Sequence, residues 1–262
     1  MNLSHLTWAT EGRLPFFPNP SLRCQAVRKL AACGQGELAA YCIVDEHVHA
    51  VLRGDSALVS KRARAITRGL RGLSAIPMDA ARIRPISDRR HAENVFRYVL
   101  TQPQRHGLPT HAALWSGSCL PDLVGARRFG DLQLCWREVW PRLGPADSLA
   151  AVGLPSQLLE PVSIERVAQN GAHRLVEAVA ASLCIPLPLV GRLPEVVLAK
   201  RTACTLAREA ALPLQLVAET GGFSQRSAQR LANQAVPQGI RLTVRTRLAL
   251  EDRVQHTPQQ AG

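Results

Sequence analysis

Residues 38–52, LAAYCIVDEHVHAVL, constrain the fold more than any other stretch of this chain. Two apolar runs flank Asp45 and Glu46, and that layout predicts two strands joined by a tight turn. Side chains alternate between the faces of a strand, so Val48 turns toward a core while His47 and His49 project together on the other side. Two imidazoles on one strand face can hold a metal ion. They can equally be the polar face of a half-buried strand, and the spacing alone leaves both readings open.

The neighbouring segments extend this pattern. HLTWAT near the N-terminus is strand-like, and LRCQAVRKLAAC reads as a short helix. Further on, SDRRHAENVFRYVLTQPQRHGL predicts a helix capped by Ser87 or Asp88 and ended by Pro103, since proline disfavours helical geometry in the residue before it. Residues 144–161, GPADSLAAVGLPSQLLEP, are rich in glycine and proline and poor in charge, and are expected to be a linker. Beyond them the texture is helical. The predicted organisation is a first domain over 1–143, the linker, a helical domain over 162–250, and a frayed tail over 251–262.

Charge narrows the choice of partner. The net charge is +12 and the isoelectric point is near 10.4, which favours a polyanion. Nucleic acid comes ahead of a membrane face, because the sequence has no long apolar span and no lipid-anchoring amphipathic pattern. The N-terminus lacks the layout of a signal peptide, and a soluble, cytoplasmic, nucleoid-associated protein is expected. Seven cysteines are scattered without a CxxC pair, which argues against a zinc site or a disulfide framework. Between Arg53 and Arg90 the charge balance is about +7. Arg53, Arg62, Arg64, Arg68 and Arg71 in this stretch, with Arg105 beyond it, are candidate phosphate contacts, and so one-sided a run beside the histidine pair is expected to form a phosphate track; a solvated helix face is the plainer alternative.

Tyr98 and Gln102 stand four residues apart and share a face of the capped helix. If that helix packs beside the strand carrying His47 and His49, Gln102 completes a two-nitrogen, one-oxygen ligand set with coordination positions left for a phosphate. Such a site suits Mg²⁺ or Mn²⁺ acting as a Lewis acid. Tyr98 could then attack phosphorus and conserve the bond energy in a covalent link.

In their order along the chain, these motifs resemble the single-tyrosine histidine-hydrophobe-histidine (HUH) transposases. AAYCIVDEHVHAVL is similar to their HUH strand, and VFRYVLTQPQRHGL to the tyrosine helix of the REP-associated branch. HAALWSGS is placed like the tryptophan-serine segment that follows there. The resemblance spans roughly residues 3–130. It implies an α+β fold with an antiparallel sheet flanked by helices, on a ferredoxin-like or RRM-like core, with His47, His49 and Gln102 as metal ligands and Tyr98 as nucleophile. Gln102 replaces the asparagine common in that branch, and acidic Asp45 and Glu46 precede the first histidine. The implied substrate is single-stranded DNA beside hairpin-forming repeats, handled by a monomer or homodimer through a 5′-phosphotyrosine. Two alternatives stay open: a DNA- or hairpin-binding regulator that has lost catalysis, and an HUH replication initiator or relaxase.

In the second half, PLQLVAETGGFSQRSAQRLANQ has the layout of a helix-turn-helix. Ala228, Leu231 and Ala232 can face a core. Gln225, Arg226, Gln229 and Arg230 stay polar and are candidates to contact DNA. An ordinary amphipathic helix hairpin has the same pattern. Residues 163–235 are similar to the DNA-binding domain of the chromosomal replication initiator, which implies DNA binding without specifying a sequence.

Overall fold

A computed structural model of the chain describes residues 2–257 apart from 11, 13, 75, 131, 133, 141 and 142. The chain divides into two compact units, one of residues 1–124 with 130–157 and the other of 125–129 with 158–262. The first is α+β and the second all-helical.

A four-stranded antiparallel sheet in the order β2-β3-β1-β4 forms the first unit, with β1 at Leu3–Ala9, β2 at Leu38–Ile43, β3 at His47–Arg53 and β4 at Arg82–Ile86. Strands β2 and β3 make the expected hairpin. Asp45 and Glu46 occupy its turn, and the Val44 N–H donates to the His47 carbonyl at 2.9 Å. Alternation sorts the side chains as anticipated. Trp8 and Val48 lie opposite one another and are fully buried on one face, while Thr7 lies opposite His49 on the other.

Helices α1 (Pro20–Cys33) and α2 (Ser56–Arg71) cover the Trp8 face. The indole N–H donates to Thr67 Oγ1 at 2.8 Å, and Thr67 hands the bond on to its own helix at the Ala63 carbonyl. Helix α3 (Arg89–Leu100) lies on the other face, against β2 and β3. Its cap is Asp88, whose carboxylate accepts from the His91 N–H at 2.9 Å, and it buries Ala92, Val95, Phe96, Val99 and Leu100 at helical spacing. The helix stops at Thr101, two residues before Pro103, and a short turn, α4 (Gln102–Arg105), follows. Tyr98 and Gln102 therefore belong to successive helices, which corrects their expected placement in one.

Residues 115–119 close on β2. The Ile43 N–H donates to the Gly117 carbonyl at 2.9 Å, the Cys119 N–H to the Tyr41 carbonyl at 3.0 Å, and the Trp115 indole to the Ile43 carbonyl at 2.6 Å. A Cβ at Gly117 would run into the Ile43 carbonyl oxygen, so the close approach requires glycine. Arg23 locks the segment from below. Its guanidinium lies 4.2 Å from the Trp115 ring centre and donates to Ser116 Oγ and to the carbonyls of Phe17 and Pro18. Two more short helices, α5 (Leu120–Leu123) and α6 (Trp136–Val139), complete this part of the chain.

The expected linker is corrected in part. Residues 145–150 form helix α7, and Leu149, Val152 and Leu154 are buried in the first unit, because a segment with three apolar side chains in register with a core has more to gain by packing than by remaining a tether.

The second unit holds α8 (Ile164–Ser182, kinked at Gly171), α9 (Pro194–Glu209), α10 (Leu214–Gly221), α11 (Gln225–Ala232) and α12 (Gln238–His256). Its core is built mostly of alanine, valine and leucine. Helix α12 corrects the expectation of a frayed tail from 251, since it continues to His256; residues 258–262 lie outside the described residues. Ile240, Val244 and Leu248 recur at i, i+4 and i+8 and bury one stripe in the core. Near its C-terminal end, Asp252 accepts from Arg166 at 2.8 Å and Arg174 at 3.0 Å. Burial works against that carboxylate, but the two guanidinium bonds outweigh it and hold it below its ordinary range.

Candidate active site

Five of the chain's eight histidines line one cleft of about 650 Å³ in the first unit. Its floor is the sheet face bearing His5 and Thr7 from β1 and His47 and His49 from β3, with Arg82 and Arg84 from β4 alongside. One wall is α3, which brings His91, Val95 and Tyr98, and His106 follows α4. Register explains the floor: Thr7 pairs with His49 and Arg82, and His5 with Arg84, so residues far apart in sequence share one face.

The rings form a chain of contacts. His47 stacks on His49 at 5.9 Å between centroids, and His49 on His5 at 5.3 Å, where His5 Nε2 and His49 Nδ1 stand 3.2 Å apart. Tyr98 meets His49 edge-on at 5.4 Å and His5 at 5.9 Å. Gln102 is 1% exposed. Its Nε2 donates to the Tyr98 carbonyl at 3.0 Å. His47, His49, Gln102 and Tyr98 are thus brought together.

Electrostatics keep the deeper rings neutral. Burial, reinforced by His5, His47 and His106, pushes His49 down to about 3, and burial with Arg84 and His91 pushes His5 down to about 4. At neutral pH both rings are therefore neutral imidazoles, the form that metal ligation or proton acceptance requires.

Glu46 adds a carboxylate from the hairpin turn. Its Oε1 lies 3.5 Å from His47 Nδ1 and 4.0 Å from His106 Nδ1, and one ligand atom from each of Glu46, His47 and His106 lies within 4.8 Å of the others. These residues can hold a cation.

The arginines are placed differently from expectation. Helix α2 packs on the Trp8 face, across the sheet from the histidines, so Arg62, Arg64, Arg68 and Arg71 do not form a track beside the histidine pair. Charge density along a helix does not say which sheet face that helix will cover. Arg62 is paired with Glu37 at 3.0 Å, Arg53 with Glu138, and Arg71 donates to the Met78 carbonyl at 2.6 Å. Arg64, Arg68 and Arg71 instead line a separate groove of about 490 Å³ between α2 and β4. Arg105 does reach the cleft region, with its guanidinium 5.1 Å from the Tyr98 ring centre.

Sequence reasoning missed His5, His91, His106, Arg82 and Arg84. Period-two alternation in HLTWAT carried a signal for His5, because a strand antiparallel to β3 must present His5 and Thr7 on one face. The others had none, since only tertiary packing brings them to the cleft.

On α11 of the second unit, Ala228, Leu231 and Ala232 are buried while Gln225, Arg226, Gln229 and Arg230 are exposed. Ser224 Oγ caps the helix at the Ser227 N–H, and Gly222 makes the preceding turn with φ 71°.

No family model matches the chain, and no curated protein matches it. Among solved structures it is similar to a REP-associated tyrosine transposase bound to a REP hairpin, at 18% identity and a TM-score of 0.36, over 47% of this chain and 79% of that one. Among the described residues, no helix is long and apolar enough to cross a membrane.

Proposed function

We propose that this protein cleaves and rejoins single-stranded DNA through Tyr98, next to hairpin-forming repeats. The observation that carries the reading is the meeting of the Tyr98 ring with His49 at 5.4 Å and with His5 at 5.9 Å, with buried Gln102 donating to the Tyr98 carbonyl. A lone helical tyrosine is ordinarily a packing residue; one that edges onto two neutral imidazoles in a half-open cleft has a chemical use.

The donor set fits a divalent cation, since His47 and His49 offer imidazole nitrogens and Gln102 an amide oxygen. Mg²⁺ or Mn²⁺ held there supplies Lewis-acid polarisation of a phosphoryl oxygen. Arg82, Arg84 and Arg105 draw the phosphate into the cleft. Tyr98 Oη attacks phosphorus and gives its proton to water in the cleft. The bond from phosphorus to the 3′-oxygen breaks, and that oxygen leaves as a hydroxyl after taking up a proton. A 5′-phosphotyrosine remains, and attack by another 3′-hydroxyl reverses the step to join strands. His5, kept neutral and packed against both rings, positions His49 and Tyr98. In the second unit, Gln225, Arg226, Gln229 and Arg230 of α11 contact duplex DNA and supply the address. Arg64, Arg68 and Arg71 hold backbone phosphates in their own groove.

The test is incubation of the whole protein with labelled hairpin oligonucleotides from repeats flanking its gene, in Mg²⁺, Mn²⁺ or EDTA, followed by a denaturing gel. A metal-dependent, protease-sensitive band lost in Tyr98→Phe is expected. Tight hairpin binding with no adduct in any metal would replace this reading with that of a non-catalytic hairpin-binding regulator.

A further inference from the structure

The ligand set just described leaves Glu46 and His106 without a task, although both reach His47. We infer that Glu46 and His106 are additional ligands of the cation in this cleft, so that His47 is shared between a buried pair, His49 and Gln102, and an outer pair. The inference rests on the metal-holding part of the function proposed above and is independent of the chemistry at Tyr98.

Three features support it. First, the ligand atoms of Glu46, His47 and His106 are drawn from two separate segments, the β2–β3 turn and the residue after α4, yet lie within 4.8 Å of one another. Ligand atoms around a bound ion of this size stand roughly 3–3.5 Å apart, as follows from bond lengths near 2.1 Å. Glu46 Oε1 is already 3.5 Å from His47 Nδ1, and the remaining gaps close by side-chain rotation, which half-buried residues allow. Second, His106 follows Gln102 by four residues, and the His106 N–H donates to the Gln102 carbonyl at 3.0 Å, so α4 holds both near His47 at once. Third, the Glu46 carboxylate, beside the cleft-lining His47 and His106, supplies negative charge that His47, His49 and Gln102 lack.

The consequence is selectivity. Two imidazoles and a carboxylate favour Mn²⁺, Co²⁺ or Zn²⁺ over Mg²⁺, which prefers oxygen ligands and retained water. The experiment is titration of the metal-free, full-length protein with Co²⁺, read by its visible absorption, with Mn²⁺ and Mg²⁺ as competitors and no DNA present. Glu46→Gln and His106→Ala are expected to weaken Co²⁺ binding at least about tenfold and to narrow the preference over Mg²⁺, with circular dichroism checking that each variant is folded. Wild-type affinity and selectivity in both variants would overturn the inference, as would a wild-type protein that binds no Co²⁺. The adduct assay separates the two ideas. A Mg²⁺-dependent adduct that persists in the Glu46→Gln, His106→Ala double variant, with unchanged Co²⁺ binding, sinks the outer ligands and leaves the tyrosine chemistry standing.

Discussion

The two units place their candidate functional residues in opposite ways. In the α+β unit they are drawn inward: His49 and Gln102 are 3% and 1% exposed, and each is bonded to its neighbours. In the helical unit they are turned outward, and the small residues Ala228 and Ala232 do the packing beneath them. A site for chemistry needs groups held in place with their water removed, so its residues also belong to the fold. A surface that contacts a partner needs only to be presented, and its residues are separable from stability.

The sharpest way to break that comparison is at the tyrosine. Tyr98→Phe is expected to bring the covalent adduct to background in the denaturing gel while leaving hairpin binding in a native gel unchanged. Retained adduct would remove the tyrosine from the mechanism. Next in size is Gly117→Ala, which places a methyl group against the Ile43 carbonyl. Urea unfolding should show a loss of about 3 kcal/mol or more, and a smaller loss would mean that residues 115–119 can shift away from β2.

Acid provides a graded test. His5 and His49 titrate near 4 and 3 in the folded protein against 6.5 unfolded, and burial also lowers His111. The unfolded chain therefore binds protons first as pH falls below about 6.5, so stability falls with it, most steeply between pH 6.5 and 4. Urea titrations in EDTA over that range should show the slope, and His49→Gln should flatten it. The smallest effect on stability is expected in the helical unit. Alanine at Gln225, Arg226, Gln229 and Arg230 together should change unfolding free energy by no more than about 0.5 kcal/mol per site. Duplex binding should weaken and lose about 2 from its salt slope, one for each arginine.

Legibility in the sequence followed the same division. The β2–β3 hairpin, the strand at His5, the helix carrying Tyr98 and the pair α10 and α11 could be read because each announces itself through local periodicity or capping. Four of the cleft's central residues, His47, His49, Tyr98 and Gln102, came from two such local patterns. The rest of the cleft depends on sheet order and on which face a helix covers, and neither is a local property. That is why the arginines of α2 were expected beside the histidines and lie across the sheet, while Arg82 and Arg84, in the short strand β4, went unassigned. The last turns of helix α12, which fall in the expected tail, were missed for a different reason: the helix is anchored by the buried stripe of Ile240, Val244 and Leu248 and by the Asp252 ion pairs with Arg166 and Arg174, which are tertiary contacts.

The sheet has two outer strands, and they differ. On β2 the row of backbone groups is occupied by residues 115–119. On β4 the row is interrupted by Pro85, which has no N–H to offer, and carries the charges of Arg82 and Arg84. Neither margin is a template for another strand, because one is filled and the other is defective as a hydrogen-bonding ladder and repels its own kind. The sheet is thus finished at four strands, and a chain with a net charge of +12 gains protection from cross-strand aggregation at both of its margins.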